Sequence, residues 1–199
     1  MSTYDLTTPI SEEAIRKLRV NDIVYITGTM FTARDEAHER ALEWAKENRA
    51  LPIDPSGLCV FHCGPIVRQT ASGWEVVAAG PTTSTRMEMF EDKFIEAFGV
   101  RVVIGKGGMG PKTALAMKQF GAVYGAFTGG AAVLAAKAIR RIVSAEWLDL
   151  GMPEALWIME VEKFGPLIVS IDSTGENLFE QISTNVERNR ERIYRLAGI

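Results

Sequence analysis

Hydrophobic and polar positions follow two different periods along this chain. Apolar residues in short unbroken runs, or at every second position, predict strands, whereas apolar residues three or four positions apart predict helices. A short opening helix is predicted over residues 11–19, because Ser11 is a good N-cap and Glu13 suits the first turn. The strand pattern recurs at residues 22–27, 58–63, 74–79, 100–104, 122–125, 141–147, 155–161 and 167–171, and Gly28-Thr29 is expected to break the first of these.

The helical period marks further segments of the chain. Predicted helices cover residues 35–48, a stretch beginning near Thr85, residues 111–120, a stretch from Gly129-Gly130 to residue 138, and residues 176–196. Thr85 and Glu88 fit a capping box, and the helix that follows has one apolar face, made of Met87, Phe90, Phe94 and Phe98. The closing helix is amphipathic, and we expect its apolar residues to face inward, namely Leu178, Ile182, Val186, Ile193 and Leu196.

Strands and helices alternate in the middle of the chain, with strand-rich segments on either side. This order predicts a layered α/β domain. Residues 100–104 form an unbroken apolar run, which is typical of a strand covered on both faces. No internal repeat, low-complexity tract or linker-like stretch interrupts the sequence, so we expect residues 1–199 to form a single domain.

Composition narrows the class of protein. The 199 residues are 47% hydrophobic and 24% charged, as in an ordinary soluble domain. The net charge of −3 argues against nucleic acid as the main partner, because phosphate binding favours a basic excess. The longest apolar runs are too short to span a membrane, and the N-terminus lacks the pattern of a secretory signal. We therefore expect a cytoplasmic protein with no membrane partner.

The two cysteines, Cys59 and Cys63, flank His62 in one short segment. Two cysteines in a chain of this length do not make a disulfide framework, and an iron–sulfur cluster normally needs at least three thiolates. A zinc-type site would need further ligands, and the second histidine, His38, lies in a different segment. Because residues 59–63 alternate like a buried strand, we favour two core thiols over a metal site.

A hydroxyl-rich turn, Gly80-Pro81-Thr82-Thr83, leaves a strand and enters a helix. Helix N-termini bind anions, because their backbone N–H groups are unpaired and the helix dipole favours negative charge. Arg86 in the first turn opposes that dipole, at a cost of roughly 0.3–1 kcal/mol. Two interpretations remain open: Arg86 binds a carboxylate ligand, or it is solvated or paired with Asp35 or Glu88.

A glycine-rich loop, Gly105 to Thr113, follows the next strand and contains Lys106. Its glycines permit positive φ angles and close approach of the backbone to a ligand. The loop nearly matches a phosphate-binding P-loop, but Pro111 removes an N–H and moves Lys112 out of register. Lys106 is the better candidate for a ligand contact. A non-catalytic module that binds a nucleotide or small anion at residues 105–113 remains the alternative function.

Arg34 stands at the start of a predicted helix, again against the dipole, with Asp35 as a normal cap. Taken alone, this segment is explained by a surface pair of Arg34 with Asp35, which would contribute little stability.

Three motifs together resemble a known family. The segments Thr-Ala-Arg-Asp-x-Ala-His at 32–38, Gly-Pro-Thr-Thr-x-x-Arg-Met at 80–87 and Ile-Gly-Lys-Gly-Gly-Met at 104–109 are similar in order and spacing to the C-terminal domain or β subunit of iron–sulfur-dependent class I fumarases and L(+)-tartrate dehydratases. The resemblance spans nearly the whole chain and implies a swivelling β/β/α fold. It also implies a β subunit of a hydro-lyase that interconverts fumarate and malate, with L-tartrate as the alternative substrate.

The resemblance implies roles for individual residues. Thr82 corresponds to the catalytic base, and Arg34, Arg86 and Lys106 to residues that hold the dicarboxylate substrate. The residues expected to support the two site loops are Gly80, Thr83, Gly105, Gly107 and Gly108. The family's [4Fe-4S] cluster belongs to the half that this chain lacks, so the resemblance implies a separate cluster-binding α subunit and no metal held by this chain. We expect that subunit to supply an acidic group that activates Thr82, and the sequence leaves open a homodimer of β chains.

Overall fold

The computed structural model describes residues 1–71 and 73–198, apart from the side chain of residue 191. The strands are β1 (Thr3–Thr7), β2 (Ile23–Thr32), β3 (Cys59–Phe61), β4 (Ile66–Thr70), β5 (Gly73–Ala78), β6 (Val102–Gly105), β7 (Val123–Ala126), β8 (Ile139–Glu146) and β9 (Leu156–Ile171). The α-helices are α1 (Glu12–Ile15), α2 (Asp35–Lys46), α3 (Glu91–Phe98), α4 (Pro111–Phe120), α5 (Ala132–Ala138) and α6 (Leu178–Ala197). A 3₁₀ helix, Ser84–Met89, leads into α3.

Within the described residues, seven strands form one sheet in the order β1-β2-β3-β6-β7-β9-β8. Strands β2, β3, β6 and β7 are parallel, and β9 runs antiparallel to both β7 and β2. Because β9 pairs with β2 as well as β7, these five strands close into a ring. A separate hairpin of β4 and β5 lies beside this sheet.

Alternate residues of the parallel strands face two different apolar cores. Phe61 and Ile104 point into the cluster enclosed by the ring, whereas Val60 and Val103 point outward to the helices α2, α3 and α4. All four residues of β6 are buried, so the prediction of a strand covered on both faces is confirmed. The predicted α/β class is also confirmed at the level of a sheet packed with helices.

Two predictions of local structure are wrong, and two strands were not predicted. Gly28 does not end β2; it has a φ of 109° and lies at a register shift against β9, so the strand continues to Thr32. The two strands predicted at 155–161 and 167–171 are one long strand, β9. Strands β1 and β4 were not predicted, because their residues are mostly exposed or half-buried and lack a clear apolar period.

The closing helix α6 also differs from the prediction. Its apolar residues face solvent instead of the core: Ile182, Val186, Ile193 and Leu196 are between 50% and 81% exposed, and Leu178 is half-buried. An amphipathic period identifies a helix but does not say what covers its apolar stripe. Within the described residues, no helix has both the length and the apolar character needed to cross a bilayer.

Candidate active site

The predicted site residues gather at one edge of the ring, where the parallel strands end. Arg34 lies two residues after β2, and Lys106 directly follows β6. His62, which was not predicted as a site residue, directly follows β3 between them. The carboxyl ends of parallel strands are the usual place for ligand sites in α/β folds, because the loops there leave an open crevice. Segments far apart in sequence are thereby brought to a common surface.

The turn that carries Thr82 lies across the ends of β3 and β6. The Thr82 N–H donates to the His62 carbonyl oxygen at 2.7 Å, and the Thr82 carbonyl oxygen accepts from the Lys106 N–H at 3.2 Å. Ser84 N–H then donates to the Lys106 carbonyl oxygen at 3.0 Å. These backbone bonds hold Thr82, which is half-buried, beside Lys106, which is exposed.

Both predicted arginines have carboxylate partners in this chain. Arg34 Nε lies 3.1 Å from Glu154 Oε1, so the predicted pair of Arg34 with Asp35 is wrong. Arg86 pairs instead with Asp35 through Nε, at 3.2 Å, and Nη2, which confirms the pairing considered for Arg86. Arg34 is 22% exposed and Arg86 46% exposed, so each can still meet a ligand. With Lys106, the site carries three cations against two carboxylates.

The predicted loop residues lie at or near this edge of the ring, and most of them have close neighbours. At Gly105, an added Cβ would lie 1.9 Å from Ser84 Oγ, so only glycine fits. Gly107 has a φ of 74°, and a Cβ on Gly108 would lie 2.7 Å from the Phe179 ring. Thr83 pairs with Lys106 in an isolated parallel bridge. Gly80 lies further back, against Ala132 of α5.

Glu88 fills the N-terminus of α4, so the predicted capping box with Thr85 is wrong. Its carboxylate accepts from the N–H groups of Gly110, Lys112 and Thr113 at 2.6, 3.1 and 3.3 Å, and from Thr113 Oγ1 at 2.7 Å. A phosphate at a P-loop would need these same donors. The geometry therefore argues against the alternative of an anion-binding module at residues 105–113.

Directly beneath the site lies a group of polar residues that the sequence did not predict. We call it the buried histidine cluster, and it consists of His38, His62, Ser84, Glu91 and Tyr124, all with 0% exposure. His62 Nε2 lies 2.9 Å from Glu91 Oε2, and His62 Nδ1 lies 2.9 Å from Ser84 Oγ, which accepts from the Tyr124 hydroxyl at 2.9 Å. The two histidine rings meet edge to face at 5.3 Å between centroids.

The hydrogen bonds fix where the protons lie in this cluster. A carbonyl oxygen can only accept, so His38 Nδ1–H donates to Arg34 O at 2.8 Å. His38 Nε2 then faces Glu91 Oε2 at 3.3 Å. Burial lowers the pKa of His62, although the neighbouring Glu91 carboxylate acts in the opposite direction, and His62 Nε2–H donates to Glu91. Burial alone raises the pKa of Glu91, but its interactions with His62 and His38 outweigh burial and bring the pKa to about 2.

His38, His62 and Glu91 are also the one group of three potential metal ligands in the described part of the chain, with ligand atoms within 4.8 Å of one another. The cysteines are not suited to metal binding. Cys59 and Cys63 are buried in the core, and burial raises both thiol pKa values, that of Cys63 to about 12. The prediction of two core thiols agrees with this arrangement.

Comparison with known proteins identifies relatives over most of the chain. A family model described as Fumarase C-terminus matches residues 1–182. Proteins named "L(+)-tartrate dehydratase subunit beta" from Shigella sonnei and Escherichia coli K12 are each 50% identical over 176 residues, 88% of this chain and 86% of the relative. A Geobacillus stearothermophilus protein named "Putative fumarate hydratase class I" is 42% identical over 178 residues, 89% of this chain but 34% of its own length.

Proposed function

We propose that this chain, which belongs to the Fumarase C-terminus family, is the β subunit of a two-subunit hydro-lyase acting on a 2-hydroxydicarboxylate. The proposal rests on the convergence of Arg34, Arg86, Lys106 and Thr82 at one edge of the ring. It is supported by the names of the relatives, which are dehydratase β subunits and a fumarate hydratase. We also propose that residues 1–199 form one domain of the swivelling β/β/α type.

In this proposal the cations hold the substrate and stabilise the charge that develops. Removing a proton next to a carboxylate gives a doubly charged aci-carboxylate. Cations aimed at that charge in a site closed to water lower the barrier by several kcal/mol. Arginine suits this task because its donor fork binds both carboxylate oxygens. The Asp35 contact uses Nε and Nη2 of Arg86, so Nη1 is directed elsewhere and can donate to substrate.

Thr82 is the residue that we propose to move the proton. A threonine hydroxyl is a weak base at neutral pH and needs an activating partner. Within the described residues, no side chain hydrogen bonds to the Thr82 hydroxyl. We therefore propose that an acidic group of the partner subunit completes this part of the site.

The chain's own residues do not fit a [4Fe-4S] cluster. Such clusters are held by several thiolates, whereas Cys59 and Cys63 are buried and have raised pKa values. We propose that the cluster belongs to the α subunit, where it would act as a Lewis acid for the departing hydroxide. The β subunit alone is then inactive.

Two compounds are candidate substrates of the proposed hydro-lyase. The relatives at 50% identity are named for L(+)-tartrate, so we place this substrate first. Malate follows, because the relative at 42% identity is named for fumarate. Both have two carboxylates for Arg34 and Arg86.

Reconstitution tests this function. The chain should show no dehydration of either substrate alone, whatever metal is added, and should become active only with a cysteine-bearing α subunit under anaerobic conditions. Turnover by the isolated chain would refute the split site. Micromolar ATP binding that is indifferent to Arg86→Ala would instead support the anion-binding module.

A further inference from the structure

The buried histidine cluster places ionisable side chains fully inside the core, where such groups are rarely found unless they are paired. Removing a carboxylate and two imidazole rings from water is costly, and buried polar or charged pairs contribute little net stability when compared with packed apolar residues. Hydrogen-bonded polar networks do, however, fix one arrangement of the groups that they join. Glu91, His62, Ser84 and Tyr124 are joined in this way. Two other buried atoms of the cluster, His38 Nε2 and Glu91 Oε1, have no hydrogen-bond partner within the described residues. The cluster is therefore better explained by what it holds in place than by stability.

Ser84 is the residue through which the cluster holds the Thr82 turn. Its hydroxyl accepts from Tyr124 on β7 and meets His62 at the end of β3, each at 2.9 Å. Gly105, at the end of β6, leaves no space on the third side, since an added Cβ would lie 1.9 Å from Ser84 Oγ. Ser84 is thus fixed against three parallel strands, two residues after Thr82.

The other end of the cluster reaches Arg34. Glu91 Oε2 lies between the two histidines, 2.9 Å from His62 Nε2 and 3.3 Å from His38 Nε2. His38 Nδ1–H then donates to the Arg34 carbonyl oxygen at 2.8 Å. One continuous chain of polar contacts therefore connects the backbone at Arg34 with the turn that carries Thr82 and pairs with Lys106.

We propose that His62, Glu91 and Ser84 are positioning residues, which set the placement of Thr82 and Lys106 relative to Arg34. This inference rests on the proposed function for its effect on turnover, but the placement itself is a property of this chain. Misplacing a reacting group by about 1 Å can cost about 100-fold in rate, so a displaced turn should reduce kcat. Arg34 and Arg86 keep their own carboxylate partners, Glu154 and Asp35. Two of the three substrate-binding cations therefore stay in place, and KM should change less than kcat.

Ser84→Ala is the variant that tests this role, because it removes one hydroxyl and leaves the backbone. Amide exchange, measured by NMR on the full chain, should become about tenfold faster at Thr82 and Lys106, since these N–H groups depend on the fixed turn. In the reconstituted complex, kcat should fall by about 10- to 100-fold with KM within about threefold. Cys59→Ala is the matched control: this residue is also fully buried, on β3, the strand that His62 directly follows, and should lower the melting temperature without either effect.

A second substitution separates positioning from stability. Tyr124→Phe removes the hydroxyl that Ser84→Ala leaves unpaired, so the double variant should regain thermal stability but keep fast exchange and low kcat. Tyr124→Phe alone should show a smaller change in the same direction, and it serves if Ser84→Ala does not fold. Wild-type exchange at Thr82 and Lys106 in these variants, or a kcat that recovers together with stability, would overturn the inference. If the wild-type complex dehydrates neither substrate, only the proposed function is refuted. The exchange measurement still tests whether the cluster positions Thr82 and Lys106.

Discussion

Glu88 gives the most direct prediction about what holds the glycine-rich loop. Its carboxylate accepts four hydrogen bonds at the start of α4, three of them part-buried. Hydrogen bonds to a charged group contribute about 1.5–3 kcal/mol each when buried, but water replaces part of this loss at an open helix end. We therefore expect Glu88→Ala to lower the free energy of unfolding by about 3 kcal/mol, which corresponds to a melting temperature about 6–12 °C lower for a chain of this size.

Thermal unfolding of three variants tests this estimate. Glu88→Gln keeps one acceptor oxygen and loses the charge, so it should lie between wild type and Glu88→Ala. The control is Glu96→Ala, which removes an exposed carboxylate on α3 and should shift the melting temperature by no more than about 2 °C. If Glu88→Ala unfolds like this control, the contact does not stabilise the loop. Phosphate binding at residues 110–113 of the wild-type chain would contradict the reasoning as well.

Three further predictions concern the site and the cluster. Gly105→Ala should destabilise the fold by about 1–3 kcal/mol, because its methyl group would meet Ser84. In thermal unfolding, the control Gly130→Ala should leave stability unchanged, because its methyl group would meet nothing within 4 Å. The free energy of unfolding should fall as the pH drops below 6.5, because the unfolded chain then protonates His62 while the folded state, with its lowered pKa, does not. Melting temperatures measured between pH 7.5 and 5 should therefore depend less on pH in His62→Gln than in wild type. Arg86→Ala should raise KM in the reconstituted complex and reduce kcat/KM by about 30-fold or more, and an unchanged kcat/KM would remove Arg86 from substrate binding.

The sequence predicted the elements whose patterns are local. Helix α4 has the bounds that its apolar period and its glycine neighbours indicate, and β6 is buried on both faces as its unbroken apolar run implies. The family resemblance also implied that residues of the motifs at 32–38, 80–87 and 104–109 act in one site. In the structure Arg34 and Lys106 follow parallel strands of the ring, and the Thr82 turn is bonded to Lys106.

Features that depend on distant partners could not be predicted in this way. His38 and His62 belong to segments on α2 and after β3, and only the packing of α3 brings Glu91 between them. Glu88 satisfied a local capping pattern, yet α4 offers it more donors than its own helix does. The apolar stripe of α6 fits a buried helix by its period, but nothing in a period specifies that a core lies opposite.

The role of Thr82 is the central claim, and Thr82→Val tests it most directly. Valine keeps the branched shape and removes only the hydroxyl, so the folded chain should lose no more than about 0.5 kcal/mol. If Thr82 moves the proton, kcat of the reconstituted complex should fall by about 10²–10⁴ with little change in KM. Thr85→Val, at an exposed position in the next turn, should keep wild-type turnover. A Thr82→Val complex that turns over like wild type would contradict the account.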